Sequence, residues 1–278
     1  MTTARSARAF FDERFRSVGT PARAAHDRAY LKSDQRFYGA TVPQIRRAGA
    51  DFWRQHRELT RTQLRAIVSD LYASGWYEHR SVAIALLGQY DTLLRETDLP
   101  WLAGLVHQSN TWAHVDWLAT DIIGGVIDRA PTGLRRLPRW AADKSFWVRR
   151  TALLAQLRAL SRGGGDFELF ARLAAGMVEE KEFFIRKAIG WILREVSKNR
   201  PELAFGFLRE HRDLVSGLTM AEGAKYLPAA MRTKLGLPAR SRPAAVRPAE
   251  RVMGKAPRVG VRGPHDPPIY LCPRWIML

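Results

Sequence analysis

Apolar residues recur at intervals of three and four over most of the chain, from about residue 5 to about residue 235. In the stretch "TQLRAIVSDLYASG" the apolar positions are Leu64, Ile67, Val68 and Leu71, which share one face of a helix. No stretch shows the alternation of apolar and polar residues that is typical of a half-buried strand. The pattern therefore predicts an all-α protein.

Short breaks divide the pattern into segments of helical length, at residues 39–43, 56–60, 75, 91–92, 110, 131, 161–165, 201 and 217. Several segments begin with helix-start signals. Thr60 precedes one segment, Pro43 and Pro201 suit a first helical turn, and Thr219 with Glu222 predicts a capping box. These signals predict about twelve helices of roughly 10–18 residues, joined by short loops.

Helices of similar length with tight connections are typical of stacked antiparallel pairs. We therefore expect an α-solenoid of HEAT-like or armadillo-like helix pairs, whose concave face is basic and can receive a duplex. No strict repeat motif is present, so a compact all-α bundle remains the alternative.

The composition changes near residue 239, which divides the chain into a helical domain, residues 1–238, and a tail, residues 239–278. The tail holds seven of the fifteen prolines and eight basic residues against two acids, Glu250 and Asp266. Because it lacks periodicity, we expect it to be disordered. It either adds unspecific attraction to phosphates or is an inert extension.

The chain carries 45 lysines and arginines against 27 acids, a formal net charge of +18, of which +12 belongs to the helical domain. A surplus of this size indicates a polyanionic partner, with nucleic acid first and acidic lipid second. A solvated basic surface without such a partner is the alternative interpretation.

Targeting and metal signals are few. Cys272 is the single cysteine, so neither an intramolecular disulfide nor a cysteine-based metal site is possible. The N-terminal residues lack a secretory apolar core, and no run approaches the roughly 18–20 apolar residues of a membrane span. Histidines and acids show no ligand spacing such as HExxH. We expect a cytoplasmic protein that contains no metal and does not enter a membrane.

The stretch "NTWAHVDWLATDIIG", residues 110–124, predicts a helix that carries an acid beside its apolar stripe. Trp112 and Asp116 are four residues apart and therefore share a face, which borders the stripe. A partly buried carboxylate is costly unless it has hydrogen-bond donors or a cation. Asp116 is thus either paired with an arginine of a neighbouring helix, with Trp112 as simple core, or it is a functional acid.

The segment "SFWVRRTALLAQLRAL" places Arg150 one turn before Leu154, on the apolar side, whereas Arg149 turns toward the edge. An arginine directed inward near a helix N-terminus requires a fixed partner, either a carboxylate or a phosphate.

The segment "EFFIRKAIGWILREVSK" has two distinct faces. One face is a plain core stripe. The other alternates aromatic and cationic residues at spacings of three and four, namely Phe184, Lys187, Trp191, Arg194 and Lys198. This combination suits a surface that contacts both the sugar-phosphate backbone and flat parts of nucleotides.

These segments resemble one known family. "SNTWAHVDWLATDIIG", "FWVRRTALLAQL" and "EFFIRKAIGWILREVSKNRPE", together with "YLKSDQRFYGATVPQIR" near the N-terminus, are similar to the AlkD-like DNA alkylation-repair glycosylases. The resemblance spans about residues 25 to 235, in the family's order and spacing. One departure is Ala113, because members often have a second tryptophan directly after the first.

The resemblance implies HEAT-like repeats curved around duplex DNA and a role in base excision repair. It implies hydrolysis of the N-glycosidic bond of cationic N3- and N7-alkylated purines, without metal or cofactor, by a monomer. Asp116 would stabilise the oxocarbenium-like sugar and orient water, and Trp112 and Trp191 would flank it. Arg150 would grip the DNA backbone and Arg194 would contact DNA as well. Lys187, Lys198 and Arg149 complete the expected phosphate-binding set.

Two other classes of protein remain as alternatives. A non-catalytic HEAT-type scaffold that binds DNA or protein would hold Asp116 in an ion pair with Arg150 and would show no activity. An RNA-binding helical repeat would present similar side chains at one position in each repeat, and the sequence lacks such a series.

Overall fold

The structure is a computed structural model that describes residues 3–239. The α-helices are α1 Ala4–Val18, α2 Pro21–Leu31, α3 Val42–Gln55, α4 Arg61–Ala73, α5 Tyr77–Gln89, α6 Leu99–His107, α7 Trp112–Trp117, α8 Gly124–Arg129, α9 Leu137–Ala141, α10 Phe146–Leu154, α11 Leu157–Ser161, α12 Phe167–Ala175, α13 Phe183–Val196, α14 Pro201–Glu210, α15 Gly217–Gly223 and α16 Ala229–Lys234. Three 3₁₀ turns lie at Asp91–Leu93, Glu96–Asp98 and Pro131–Arg136, and a π-helical turn at Leu118–Ile123 joins α7 to α8.

Helix starts in the N-terminal half follow from threonine caps. The Thr60 hydroxyl accepts a hydrogen bond from the Gln63 amide, and the Gln63 side chain accepts one from the Thr60 amide. This reciprocal pair satisfies two backbone donors that a helix start otherwise leaves unpaired. Pro43 and Pro201 both lie in first turns, as predicted, where a missing N–H has no cost.

The predicted capping box at Thr219 and Glu222 is wrong. Helix α15 begins three residues earlier, because the Ser216 hydroxyl accepts a hydrogen bond from the Thr219 amide at 3.1 Å. Thr219 is therefore the third residue of the helix. The Glu222 carboxylate is released from any capping role, and it binds two cations of α13 instead.

The helices pack as stacked pairs. Helices α4 and α5 follow one another across a short loop and contact each other over their length, as antiparallel neighbours do. Helices two apart in the chain also pack side by side, as in α3 with α5, α11 with α13, and α13 with α15. The fold is the predicted all-α solenoid of HEAT-like helix pairs, and the basic concave face stays a prediction.

Two hydrophobic cores meet at the centre of the described chain. The first extends from α1 to Leu169 of α12 and includes Val115 and Val148. The second extends from the π turn to the end of α16 and includes Ala119 and Leu153. Helix α10 and the helix that begins at Trp112 contribute side chains to both cores. Polar groups between these two helices are therefore held by apolar packing on either side.

The π turn is a distinctive local feature of the fold. Residues 112–129 run through α7, the π turn and α8 without interruption. The Gly124 amide bonds to the Ala119 carbonyl, five residues earlier, instead of four as in an α-helix. A Cβ at Gly124 would lie 3.0 Å from the carbonyl oxygen of Ala155. Glycine therefore allows the wide turn to lie directly against the end of α10.

Several helices are shorter than the predicted range, in particular α9, α11 and α16. Among residues 3–239, no helix is long and apolar enough to cross a membrane. The same residues contain no group of histidines, cysteines and acids arranged to hold a metal ion. The tail predicted to be disordered lies, apart from residue 239, outside the described residues.

Candidate active site

Asp116 and Arg150 form a buried bidentate ion pair between α7 and α10. The Arg150 Nε donates to Asp116 Oδ1 at 2.7 Å, and Nη2 donates to Oδ2 at 2.8 Å. Asp116 is 3% exposed and Arg150 is 1% exposed. Two parallel N–H···O bonds fix both the distance and the plane of the carboxylate. The sequence predicted that Arg150 points inward and binds either a carboxylate or a phosphate, and in the structure its partner is a carboxylate.

Arg150 also ties α10 to α13. Its Nη1 donates to the Phe184 carbonyl, and its guanidinium lies 5.6 Å from the centroid of the Phe184 ring. The group is thus bound on three sides by its own chain. In this structure the Arg150 guanidinium binds Asp116 and the Phe184 carbonyl, and its expected grip on the DNA backbone stays a prediction.

A cavity of about 160 Å³ opens beside Asp116. Helices α2, α3 and α5 form one side of it and the helix of Asp116 forms the other. Trp112 and Trp117 both line the cavity, and Tyr30 meets Trp112 edge to face at 5.9 Å between ring centroids. Ala113 lines it as well, so a tryptophan at this position would project into the same space. The expected face shared by Trp112 and Asp116 therefore forms a real cavity wall.

Trp191 lies apart from this cavity. It is half-buried on α13 and packs against the second hydrophobic core. It is not among the side chains that line the cavity of Asp116. The structure therefore brings one of the two expected tryptophans, Trp112, together with the carboxylate.

The cations of α13 bind carboxylates of the chain. Glu222 accepts from Lys187 Nζ at 2.9 Å and from Arg194 Nη1 at 2.6 Å. Helix α15 can bring Glu222 this close because position 190 is glycine, where a Cβ would lie 2.8 Å from the Glu222 Cβ. Desolvation raises the pKa of Glu222, but the Lys187 hydrogen bond and the Arg194 charge outweigh it, and the net pKa is lowered.

Exposure separates the two cations bound by Glu222 from the other predicted phosphate ligands. The side chains of Lys187 and Arg194 are 12% and 6% exposed, whereas that of Lys198 is 43% exposed, beside Glu195 and over the Tyr226 ring. Arg149 binds both carboxylate oxygens of Glu180 and is 20% exposed. Each of the five cations predicted to bind DNA thus has a carboxylate partner within the chain. Their contact with DNA stays a prediction.

Sequence reasoning missed Trp117, Arg46 and Asp121. The Arg46 guanidinium lies 5.1 Å from the Trp117 ring centroid, and all three residues line the cavity of Asp116. An ideal α-helix rotates about 100° per residue, so it would turn Asp121 well away from Asp116. A π turn, however, interrupts the α-helix at Leu118–Ile123, and Asp121 lines the cavity of Asp116. A spacing of five residues therefore predicts a shared helix face only where the position of a π turn is already known.

Burial shifts the pKa of two titratable groups near the cavity. Desolvation raises the pKa of Asp121 to about 6, although Arg158, the Thr120 hydroxyl and Arg46 each oppose the shift. Desolvation lowers the pKa of His114 to about 3, so this ring is neutral at physiological pH, where its Nε2 lies 2.9 Å from Ser81 Oγ. The surroundings of these two groups are therefore poorly solvated and disfavour unpaired charge.

These features define a helical-repeat protein with a carboxylate, held by an arginine, beside a tryptophan-lined cavity. The DNA alkylation repair enzyme family model matches residues 11–227, and the chain belongs to this family. The protein is accordingly an enzyme of DNA alkylation repair that acts on DNA.

Three solved structures are similar to the chain. A predicted DNA alkylation repair enzyme from Enterococcus faecalis is 26% identical, with a TM-score of 0.69 over 76% of this chain and 97% of that one. AlkD2 from Streptococcus mutans is 18% identical, with a TM-score of 0.52 over 68% of this chain and 91% of that one. The protein smu.31 from Streptococcus mutans UA159 is also 18% identical, with a TM-score of 0.50 over 68% and 100%. The last two share the fold. No curated protein matches the chain.

Proposed function

We propose that the protein is a DNA glycosylase that hydrolyses the N-glycosidic bond of cationic N3- and N7-alkylated purines in duplex DNA. The observation that carries the proposal is the Asp116 carboxylate, oriented by Arg150 at the wall of a cavity that Trp112 and Trp117 also line. A scaffold does not require a cavity lined by tryptophans beside this acid.

The chemistry suits this arrangement. An alkylated purine is positively charged and leaves readily, so a strong general acid is unnecessary. The difficult species is the sugar, which becomes oxocarbenium-like as the bond breaks. A fixed carboxylate in a poorly solvated cavity stabilises that developing charge. The indole of Trp112 presents a π face that attracts a cation.

The pairing with Arg150 leaves Asp116 able to act on water. An ionised carboxylate has about four lone-pair sites. The two hydrogen bonds from Arg150 occupy two of these sites. The remaining sites can accept hydrogen bonds from a water molecule, whose oxygen is then oriented toward the sugar. Arg150 thus acts in the proposal by holding Asp116 rather than by holding phosphate.

The DNA backbone is proposed to bind to the cations of α10, of α13 and of the turn that follows α13. Arg149, Lys187, Arg194 and Lys198 would exchange their carboxylate partners for phosphate, and Trp191 would pack against the sugar-phosphate chain. Lys198 is best placed for this exchange, because its side chain is the most exposed of the four. The proposed enzyme is monomeric and needs neither metal nor organic cofactor, since water is the only co-substrate of the hydrolysis.

The test is release of 3-methyladenine and 7-methylguanine from methylated duplex DNA, measured by chromatography with mass detection. Wild-type protein is expected to release both bases, and Asp116→Asn is expected to lose release while still binding duplex DNA. Asp128→Asn is the matched control, because Asp128 is also paired with arginines, Arg158 and Arg162, at another place. Release by Asp116→Asn at the wild-type rate would contradict the proposal.

A non-catalytic scaffold is the second candidate, because the Asp116–Arg150 pair is the contact that this function predicts. In that case Asp116 serves stability alone. Wild-type protein would then bind duplex DNA without releasing any alkylated base, and Asp116→Asn would lower the unfolding temperature as its main effect.

A further inference from the structure

Asp121 lines the same cavity as Asp116. In an ideal α-helix, residues five apart point in directions that differ by about 140°. Asp121 lies within the π turn, which begins at Leu118, two residues after Asp116, and in which the Gly124 amide bonds to the Ala119 carbonyl. Asp116 and Asp121 both line the same cavity. Asp121 and Trp117 also line a second cavity, of about 250 Å³.

The surroundings of Asp121 differ from those of the other carboxylates that line these two cavities. Asp27 accepts from Arg23 at 2.7 Å, and Asp91 lies 3.2 Å from Arg129. Asp116 is held by Arg150. Each of these three is bound within 3.2 Å by a guanidinium. Asp121 Oδ1 instead lies 3.3 Å from the Thr120 hydroxyl oxygen, and the charges of Arg158 and Arg46 act on its carboxylate.

Thr120 also links the two carboxylate positions. Its hydroxyl lies 2.8 Å from the backbone carbonyl of Asp116, to which it donates, and 3.3 Å from Asp121 Oδ1. The charged side chains that face Asp121 from the packed elements are Arg23 and Asp27 of α2, Arg46 of α3, Asp91, Arg129 of α8 and Arg158 of α11. Arginine stays protonated across the physiological range, and Tyr30 and Tyr77, which also line the cavity, ordinarily titrate near 10.

Proton transfer favours an acceptor whose pKa is close to the working pH. Burial raises the pKa of Asp121 to about 6 against the opposing charges of Arg158 and Arg46. An ordinary aspartate, with a pKa near 3.9, is a much weaker base. The geometry and the environment therefore suit the two carboxylates to different roles. Asp116 is oriented by an arginine, whereas Asp121 is suited to accept a proton.

We propose that Asp121 is a second catalytic carboxylate of this site, which takes the proton of the attacking water while Asp116 stabilises the sugar. The inference rests on the proposed glycosylase function. The water oxygen forms a bond to C1′ of the deoxyribose. The bond from C1′ to the purine nitrogen breaks, and its electron pair neutralises the cationic base. One water proton moves to the Asp121 carboxylate, which later returns it to solvent.

The test is the pH dependence of 3-methyladenine release from dimethyl-sulfate-treated duplex DNA, with enzyme in excess and saturating so that each rate reports a single turnover. The wild-type rate is expected to rise with pH, tenfold per unit, and to level off near the pKa of Asp121, about 6. The pH at which the rate levels off is the break of the pH profile. The Asp121→Asn variant is expected to show no break near this pH, and its plateau rate is expected to be about 10²- to 10⁴-fold lower, the usual contribution of general base catalysis. Circular dichroism and binding to duplex DNA establish that the variant is folded.

A second variant tests the assignment without removing Asp121. Arg158 lowers the pKa of Asp121, so Arg158→Gln is expected to move the break of the pH profile to higher pH. Asp128→Gln serves as its control, because it removes the carboxylate paired with Arg158 and leaves the Arg158 charge in place. A break that stays at the wild-type pH in Arg158→Gln would overturn the inference.

The outcomes separate the two proposals. If the wild type is active and Asp121→Asn keeps both the plateau rate and the break of the pH profile, only the role of Asp121 is overturned. A uniform loss of rate with the break unchanged indicates a structural role and overturns it as well. A wild type that releases no alkylpurine overturns the proposed glycosylase function, and this inference falls with it.

Discussion

The carboxylate of Asp116 and the guanidinium of Arg150, which stand 34 residues apart in the chain, meet in a buried bidentate pair at the junction of two hydrophobic cores. The pair holds α7 against α10, and the additional bond from Arg150 to Phe184 extends the connection to α13. Orientation of the acid and stability of the fold therefore depend on the same contact.

Removal of one member of this pair is expected to destabilise the protein strongly. Arg150→Gln leaves a buried carboxylate without its cation, and we expect the free energy of unfolding to fall by about 3–5 kcal/mol. Urea denaturation followed by circular dichroism measures this. The neighbouring Arg149→Gln is the matched control, since its pair with Glu180 is partly exposed and is expected to contribute at most about 1 kcal/mol. Equal losses in the two variants would contradict the central role of the buried pair.

The two tryptophans are expected to differ in what they contribute. Trp112 lines the cavity of Asp116 and Trp191 does not. Trp112→Ala should therefore lower the single-turnover rate of base release, by about 2- to 30-fold if a cation–π contact of about 0.5–2 kcal/mol is lost. Trp191→Ala should mainly weaken binding of duplex DNA. Rates at saturating enzyme and dissociation constants from fluorescence anisotropy distinguish the two effects, and the opposite order would contradict the assignment.

Lys198 is expected to contact phosphate. Lys198→Gln should weaken binding of duplex DNA to a similar degree for every sequence. It should also reduce the slope of log affinity against log salt concentration by about 1. Titrations at several salt concentrations measure the slope. Glu195→Gln is a useful companion, because it frees Lys198 and Arg194 from a competing carboxylate and should strengthen binding. An unchanged slope in Lys198→Gln would place this lysine outside the DNA contact.

Asp121 is also expected to affect stability in a pH-dependent way. Its pKa is about 6 in the folded state and 3.8 as its ordinary value. The folded protein therefore binds more protons than the unfolded chain between these values, and the contribution of Asp121 to stability decreases as the pH rises through this window. Relative to Asp121→Asn, the wild type should lose about 1 kcal/mol of stability between about pH 5 and about pH 7. Urea titrations of both proteins at the two pH values measure this, and a constant difference would show that Asp121 titrates normally.

Local sequence patterns were sufficient for the helical character of residues 3–239. Periodicity of three and four predicts a helix because it describes neighbours on a single helix surface. The same reasoning placed Trp112 and Asp116 on one face, and both line one cavity. Caps such as Thr60 are local as well, since the donor and acceptor stand three residues apart. The resemblance of four short segments was sufficient to predict the family of the protein, and the family model matches residues 11–227.

The tertiary structure decided which partners those residues have. The sequence by itself determined that Arg150 needs an anion, and packing of α7 against α10 supplied Asp116. It indicated a cationic face on α13, and the approach of α15 at Gly190 covered part of that face with Glu222. The π turn that contains Asp121 likewise left no signal in the α-helical period. Periodicity records contacts within about one helical turn, whereas ion pairs between helices depend on how the whole chain packs.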